Sequence, residues 1–132
     1  MRDNSPVLLV EDDLVDAMTV SRSFQDLDIT NKIEHCVNGV EALARLQEMT
    51  TKPSIILLDI NMPKMDGMEC AKVIRNMADP IKSTIPILAI TGNAKNYSID
   101  DFKEVGINEY IPKPLNFDVL VDKVKKYTEA DD

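Results

Sequence analysis

The sequence predicts an α/β doubly wound sheet of five parallel strands in the order 2-1-3-4-5, with five helices on its two faces. Two observations carry this prediction. Five short β-branched or Leu-rich runs recur, and most are apolar on successive residues instead of alternating, which suits strands covered on both faces. Between them lie stretches with apolar residues at helical spacing, so strands and helices alternate and neighbouring strands are joined by right-handed crossovers.

In chain order, the first strand is Val7 to Val10, and the first helix follows from the spacing of Leu14, Ala17, Met18, Ser21 and Phe24. The second strand is Ile33 to Val37, with the second helix near Val40 to Met49. Ile55 to Leu58 forms the third strand and runs straight into Asp59; the third helix falls near Met68 to Ala78, after a turn at Asp66-Gly67. The fourth strand is Ile87 to Ile90. The fourth helix, near Ser98 to Val105, has a thin apolar face of Ile99, Phe102 and Val105 and ends at Gly106, a favoured residue just past a helix. Tyr110 to Ile111 is the fifth strand, where Pro112 is tolerated because an edge strand can spare a ladder donor. Phe117, Leu120, Val121 and Val124 give the last helix the clearest apolar stripe in the chain.

Composition bounds the function. A chain of 132 residues, 44% hydrophobic and 29% charged, fits one domain over residues 1–132, with an ordered core of about 5–128. Fifteen Lys and Arg against 23 Asp and Glu leave a net charge of -8, which repels phosphate backbones and anionic lipid, so neither nucleic acid nor membrane is expected as a direct partner. No apolar run approaches the roughly 20 residues of a membrane helix, and MRDNSP has no apolar signal core, so the expected location is cytoplasmic. Cys36 and Cys70 lie in apolar patterns without metal-ligand spacing and read as reduced core thiols.

Why should a buried strand end on an acid? Ligands of doubly wound sheets gather at the carboxyl ends of the strands, near the switch in strand order. There the chain places Glu11, Asp12 and Asp13 after the first strand, Asp59 after the third, Thr91 after the fourth and Lys113 after the fifth. Two carboxylates about 4 Å apart repel by roughly 4 kcal/mol at an effective dielectric near 20, so three together call for a cation. All-oxygen ligands with room for water suit Mg²⁺, to which the backbone carbonyl near Asn61 could add a ligand. Lys113 and Thr91 suit the oxygens of a phosphoryl group, and one carboxylate is left to act as nucleophile and form an aspartyl phosphate.

VLLVEDD, ILLDINMPKMDG, ILAITGNA and YIPKPL, in this order and over essentially the whole chain, resemble the receiver domain of two-component response regulators, a single-domain, chemotaxis-regulator-like type with a flavodoxin-like fold. The resemblance implies that Asp59 accepts phosphate from a histidine kinase or histidine phosphotransfer protein. It implies that Asp12 holds Mg²⁺ directly and Glu11 through water, with the Asn61 carbonyl as a further ligand, and that Thr91 and Lys113 contact the phosphoryl group. It also implies a cis Lys113-Pro114 bond, a Tyr110 ring that changes rotamer as a switch, and roles for Asn61 and Asn93 in phosphate lifetime. Output would pass to another protein or a second copy through the face of the fourth helix, fifth strand and fifth helix. The protein would then be a phosphoacceptor switch with self-phosphorylation and autodephosphorylation only, and not an enzyme. Because the chain runs from Met1 to just past the last helix, a stand-alone regulator is expected.

Structural readings compete at several positions. Asp13 suits an N-cap of the first helix, as does Asp12 taken alone. Tyr110 on an edge strand is also explained by packing, and His35, in a strand, reads as a surface residue and not a phosphodonor. Among other functions, a magnesium-dependent aspartyl-phosphate phosphatase of the haloacid dehalogenase type needs a second Asp two residues after the nucleophile, where this chain has Asn61. A metal nuclease would want a basic surface. A flavodoxin-like electron carrier would want a hydroxyl-rich loop after the first strand, where this chain has acids. A pseudo-receiver usually lacks the acceptor or the lysine, and both are present.

Overall fold

The computed structural model describes residues 5–26, 29–62, 65–92, 98–113 and 115–128. Five strands, β1 (Val7–Val10), β2 (Ile33–Cys36), β3 (Ile55–Asp59), β4 (Ile87–Thr91) and β5 (Glu109–Pro112), form one parallel sheet in the predicted order β2-β1-β3-β4-β5. β5 is an edge, as Pro112 requires.

The unbroken apolar runs divide between two cores by strand alternation. Leu8, Val10, Ile56, Leu58, Ile87 and Ala89 pack on one face, with residues from α2 (Gly39–Glu48), α3 (Gly67–Arg75) and α5 (Ile99–Glu104). Val7, Leu9, Ile55, Leu57, Leu88 and Ile90 pack on the other, against α1 (Leu14–Asp26) and α6 (Phe117–Thr128). A helical layer on each face is what continuous apolarity demanded.

The structure corrects three expectations. There are six helices among the described residues, not five: α4 (Pro80–Ser83) is a single extra turn, so the predicted fourth and fifth helices are α5 and α6. Asp79 caps it by accepting from the Ile81 amide, and Pro80 occupies its first turn, where a missing N–H costs nothing. On α1, Ala17, Val20, Ser23 and Phe24 are buried, while the predicted Leu14 and Met18 are more than 60% exposed. Apolar residues crowd this helix at enough positions to outline two stripes, and the sheet covers the one containing Val20. On α5, Phe102 is buried but Ile99 is exposed.

Gly106 follows α5 with φ of 83°, a left-handed conformation that glycine adopts without a Cβ clash. The Arg75 side chain fills the space beside it, and its guanidinium donates to the carbonyls of Gly106, Ser83 and Ile85 and to Asn108 Oδ1. One side chain thereby ties α3 to the entrance of β4 and the turn before β5. Cys36 and Cys70 are free and buried, and burial pushes their thiols up to about 11 and about 12. No helix among the described residues is long and apolar enough to cross a membrane.

Candidate functional site

β1 and β3 are neighbours, in register from Val7 with Ile55 to Val10 with Leu58. Their next residues, Glu11 and Asp59, therefore leave the core side by side, only 2% and 3% exposed. Asp12 stands outside them in solvent, and carboxylate oxygens of Glu11, Asp12 and Asp59 lie within 4.8 Å of one another. Asp13 takes the other role weighed for these acids. Its Oδ1 accepts from the amides of Val15 and Asp16, at 2.9 and 3.2 Å, and caps α1.

Asp59 is held by local chemistry. Its Oδ1 accepts from the Asn61 amide at 3.1 Å, which sets the Asn61 backbone beside the acids. Gly67 packs so closely beneath that a Cβ there would lie 2.6 Å from the Asp59 carbonyl oxygen. Asp66 caps α3 through the Glu69 amide, in agreement with the predicted turn before that helix.

Thr91, fully buried, ends β4, and its carbonyl accepts from the Lys113 amide at 2.8 Å. The Lys113 ammonium lies 3.2 Å from Glu11 Oε1, 3.6 Å from Asp59 Oδ2 and 3.1 Å from Asp16 Oδ2. Sequence reasoning missed Asp16. An acid in the first turn of a helix is explained by the helix dipole, and no spacing rule connects it to a lysine 97 residues later. Tyr110 pairs in register with Ala89 and stacks on Phe102 of α5, ring centroids 5.2 Å apart. His35 is half-buried on β2 and its Nε2 is 2.8 Å from the Glu11 carbonyl oxygen, so it bears on the backbone of the site and not on the acids. Asn93 and Pro114, and with them the expected cis bond, lie outside the described residues.

The electrostatics follow from burial and crowding. Burial first, then the hydrogen bond and charge of Asp59, push Glu11 up to about 9; burial and Asp59 likewise raise Asp12. Burial alone would lower Lys113, but its hydrogen bond to Asp16 and the charges of Asp59 and Glu11 outweigh that and hold it above its ordinary value. At 4.8 Å and an effective dielectric near 20, each pair of ionised acids repels by roughly 3–4 kcal/mol.

A hard divalent cation fits this donor set. Glu11 Oε2 is buried without a hydrogen-bond partner, and the cluster offers carboxylate oxygen alone.

Residues 7–125 match the family described as the response regulator receiver domain. The chain belongs to this family. Hybrid signal transduction histidine kinase M of Dictyostelium discoideum is 36% identical over 124 residues, which are 91% of this chain and 5% of that protein, so the chain corresponds to a small part of this relative. Among solved structures, the Vibrio cholerae chemotaxis protein CheY4 superposes with a TM-score of 0.77 at 29% identity, covering 93% of this chain and 98% of that one. The receiver domain of the sensor histidine kinase PA1611 from Pseudomonas aeruginosa PAO1 superposes with a TM-score of 0.80 at 24% identity, covering 96% and 99%, and carries a magnesium ion in its active-site cleft. Receiver domains are switches of two-component signalling, which work with histidine kinases or phosphotransfer proteins and are generally not enzymes.

Proposed function

We propose that this receiver domain is a phosphoacceptor switch in which Asp59 takes a phosphoryl group from a phosphohistidine donor on a histidine kinase or phosphotransfer protein. The observation that carries the reading is the meeting of Glu11, Asp12 and Asp59 within 4.8 Å, with the Lys113 ammonium beside them.

An Asp59 carboxylate oxygen attacks phosphorus; the new P–O bond forms as the donor P–N bond breaks, and the electron pair leaves with the imidazole nitrogen, which takes a proton from solvent. The chain supplies position and charge. Asn61 orients the Asp59 carboxylate through its amide, the Lys113 ammonium neutralises charge on the transferring oxygens, and the Thr91 hydroxyl donates to one of them. Glu11, Asp12, Asp59 and the Asn61 carbonyl would hold Mg²⁺, which screens the repulsion between acid and phosphoryl oxygens. Asn61 carries no acidic proton two residues past the acceptor, which disfavours an aspartyl-phosphate phosphatase of haloacid dehalogenase type.

Phosphorylation adds about -1.5 to -2 charge at neutral pH. Drawing Thr91 and Lys113 toward that charge would re-set Tyr110 and the face of α5, β5 and α6, through which an output protein or a second copy would bind. A swing from 1:99 to 99:1 requires about 5.5 kcal/mol of differential stabilisation. The test is labelling by acetyl phosphate with Mg²⁺, followed by intact mass: one phosphoryl per chain is expected, and none in Asp59→Asn. A stoichiometric acyl phosphate retained in that variant would disprove the assignment. Titration calorimetry should show markedly weaker Mg²⁺ binding in Asp12→Ala.

A further inference from the structure

The Lys113 ammonium has three hydrogens to donate, and three carboxylates surround it. Two accept at hydrogen-bond distance: Asp16 at 3.1 Å and Glu11 at 3.2 Å. Asp59, at 3.6 Å, is close enough for an ion pair but too far for a good hydrogen bond. One of the two hydrogen bonds thus goes to an acid outside the cluster of Glu11, Asp12 and Asp59. The three also differ in depth. The side chains of Glu11 and Asp59 are 3% and 4% exposed, that of Asp16 is 39% exposed, and Lys113 lies between at 24%. The ammonium is therefore shared between an inner pair of acids and an outer one.

The outer acid is well anchored. Asp13 caps α1 by accepting from the Asp16 amide itself, so the backbone that projects the Asp16 side chain is fixed relative to the end of β1. Glu11 and Asp59 are also two of the three acids that a divalent cation would use, so every bond Lys113 makes to them competes with that cation. A charge that draws Lys113 outward relieves the competition.

We propose that Asp16 is a positioning residue for Lys113: it holds the ammonium toward solvent and so keeps Glu11 and Asp59 open to a divalent cation. The inference rests on the phosphoacceptor reading for its purpose, but not for its geometry. With Asp16 neutral, Lys113 relaxes inward onto Glu11 and Asp59, and a cation must displace it.

The test is Mg²⁺ titration calorimetry at about 0.15 M salt, where charges more than about 8 Å apart are largely screened, on a double-mutant cycle. Asp16→Asn is expected to weaken Mg²⁺ binding at least fivefold when Lys113 is present and no more than twofold in a Lys113→Met background, with Asp16→Glu restoring most of the loss. Equal weakening in both backgrounds would overturn the proposal, because Asp16 would then act on the cation by its own charge or by supporting α1. So would unchanged affinity in Asp16→Asn, or a loss in Asp16→Glu as large as in Asp16→Asn. Thermal melts of the same variants separate a merely structural role, which lowers the midpoint without regard to Lys113. Labelling of Asp59 in the unmodified chain is measured alongside: its absence would sink the phosphoacceptor reading, whereas labelling with no coupling between Asp16 and Lys113 would sink this inference alone.

Discussion

Gly67→Ala isolates the role of backbone approach in holding the acceptor. A Cβ at this position would lie 2.6 Å from the Asp59 carbonyl oxygen, 2.7 Å from Ile60 Cα and 2.8 Å from Ile60 Cδ1. The first two are backbone atoms, so no rotamer change can relieve them. Among the described glycines only Gly106 has a positive φ, hence the penalty at Gly67 is steric and not conformational. The β3–α3 connection must open, stretching the bond from the Gly67 amide to the Ile60 carbonyl, now 2.9 Å. Overpacking of this kind costs about 1–3 kcal/mol. At about 2.1 cal/mol/K per residue, 132 residues unfold with an entropy near 280 cal/mol/K, so the melting midpoint should fall by about 4–11 °C. The Asp59 carbonyl is the nearest obstacle, so the carboxylate on the same residue moves too, and displacements approaching 1 Å at a reacting group cost roughly 100-fold in rate. Differential scanning calorimetry and the rate of acetyl-phosphate labelling read the two effects. A variant with an unchanged midpoint and an unchanged labelling rate would refute the claim that Gly67 is required by close approach.

Three further outcomes are expected. Arg75→Ala removes the donor to three carbonyls and to Asn108 Oδ1 and should lower stability by about 2–4 kcal/mol in urea titrations; a loss under 0.5 kcal/mol would show these bonds to be replaced by water. For Glu109, burial would raise the carboxyl, but hydrogen bonds from Lys123, Tyr127 and Lys126 outweigh it and hold it down at about 2. A depressed carboxylate contributes stability that is full above its ordinary value near 4.5 and is lost as pH falls from there through about 2. Glu109→Gln should therefore cost about 1–2 kcal/mol at pH 7, after allowance for solvent screening, a small part of that at about pH 2, and nothing well below it; a constant difference across that window would contradict the linkage. Cys36 and Cys70 should resist a thiol reagent at neutral pH and react only as the chain unfolds, so fast labelling of the native protein would place a thiol outside the core.

The three central strands were legible because a strand buried on both faces has one sequence solution, a short apolar run, and β1, β3 and β4 show it, while the edge strands β2 and β5 carry polar residues and showed only shorter signals. Their order and the acids at their ends then placed Glu11, Asp12 and Asp59 together before any coordinates were needed. Helix faces were less legible: α1 carries apolar residues at Leu14, Val15, Ala17, Met18 and Val20, and only the position of the sheet decides which are buried. α4 escaped notice although Asp79-Pro80 spells an N-cap followed by a first-turn proline, because a single turn has no apolar period to detect. The role of Asp16, and that of Gly67 beyond its place in a turn, were invisible for a different reason. Their significance lies in distances to Lys113 and to the Asp59 backbone, and such distances belong to the packed fold rather than to any local pattern.

The face expected to change on phosphorylation is not uniformly held. Glu109 on β5 accepts from Lys123, Lys126 and Tyr127, all on α6, which couples that strand and helix into one body. α5 has only six residues; it is closed by a reciprocal cap between Ser98 and Asp101 and buries Phe102 alone among its own residues. That Phe102 is the ring on which Tyr110 stacks. Lys113 follows the strand of Tyr110, and its amide is bonded to the carbonyl of Thr91. On the phosphoacceptor reading, a pull on Thr91 and Lys113 therefore meets a stiff unit in β5–α6 and a lightly anchored one in α5. The physical expectation is that α5 shifts against a fixed β5–α6 unit, with the Tyr110–Phe102 contact as the joint. Amide hydrogen exchange before and after phosphorylation decides it: protection should change in α5 and stay nearly constant in α6, and the reverse pattern would mean that the Glu109 network, not the aromatic pair, is what gives way.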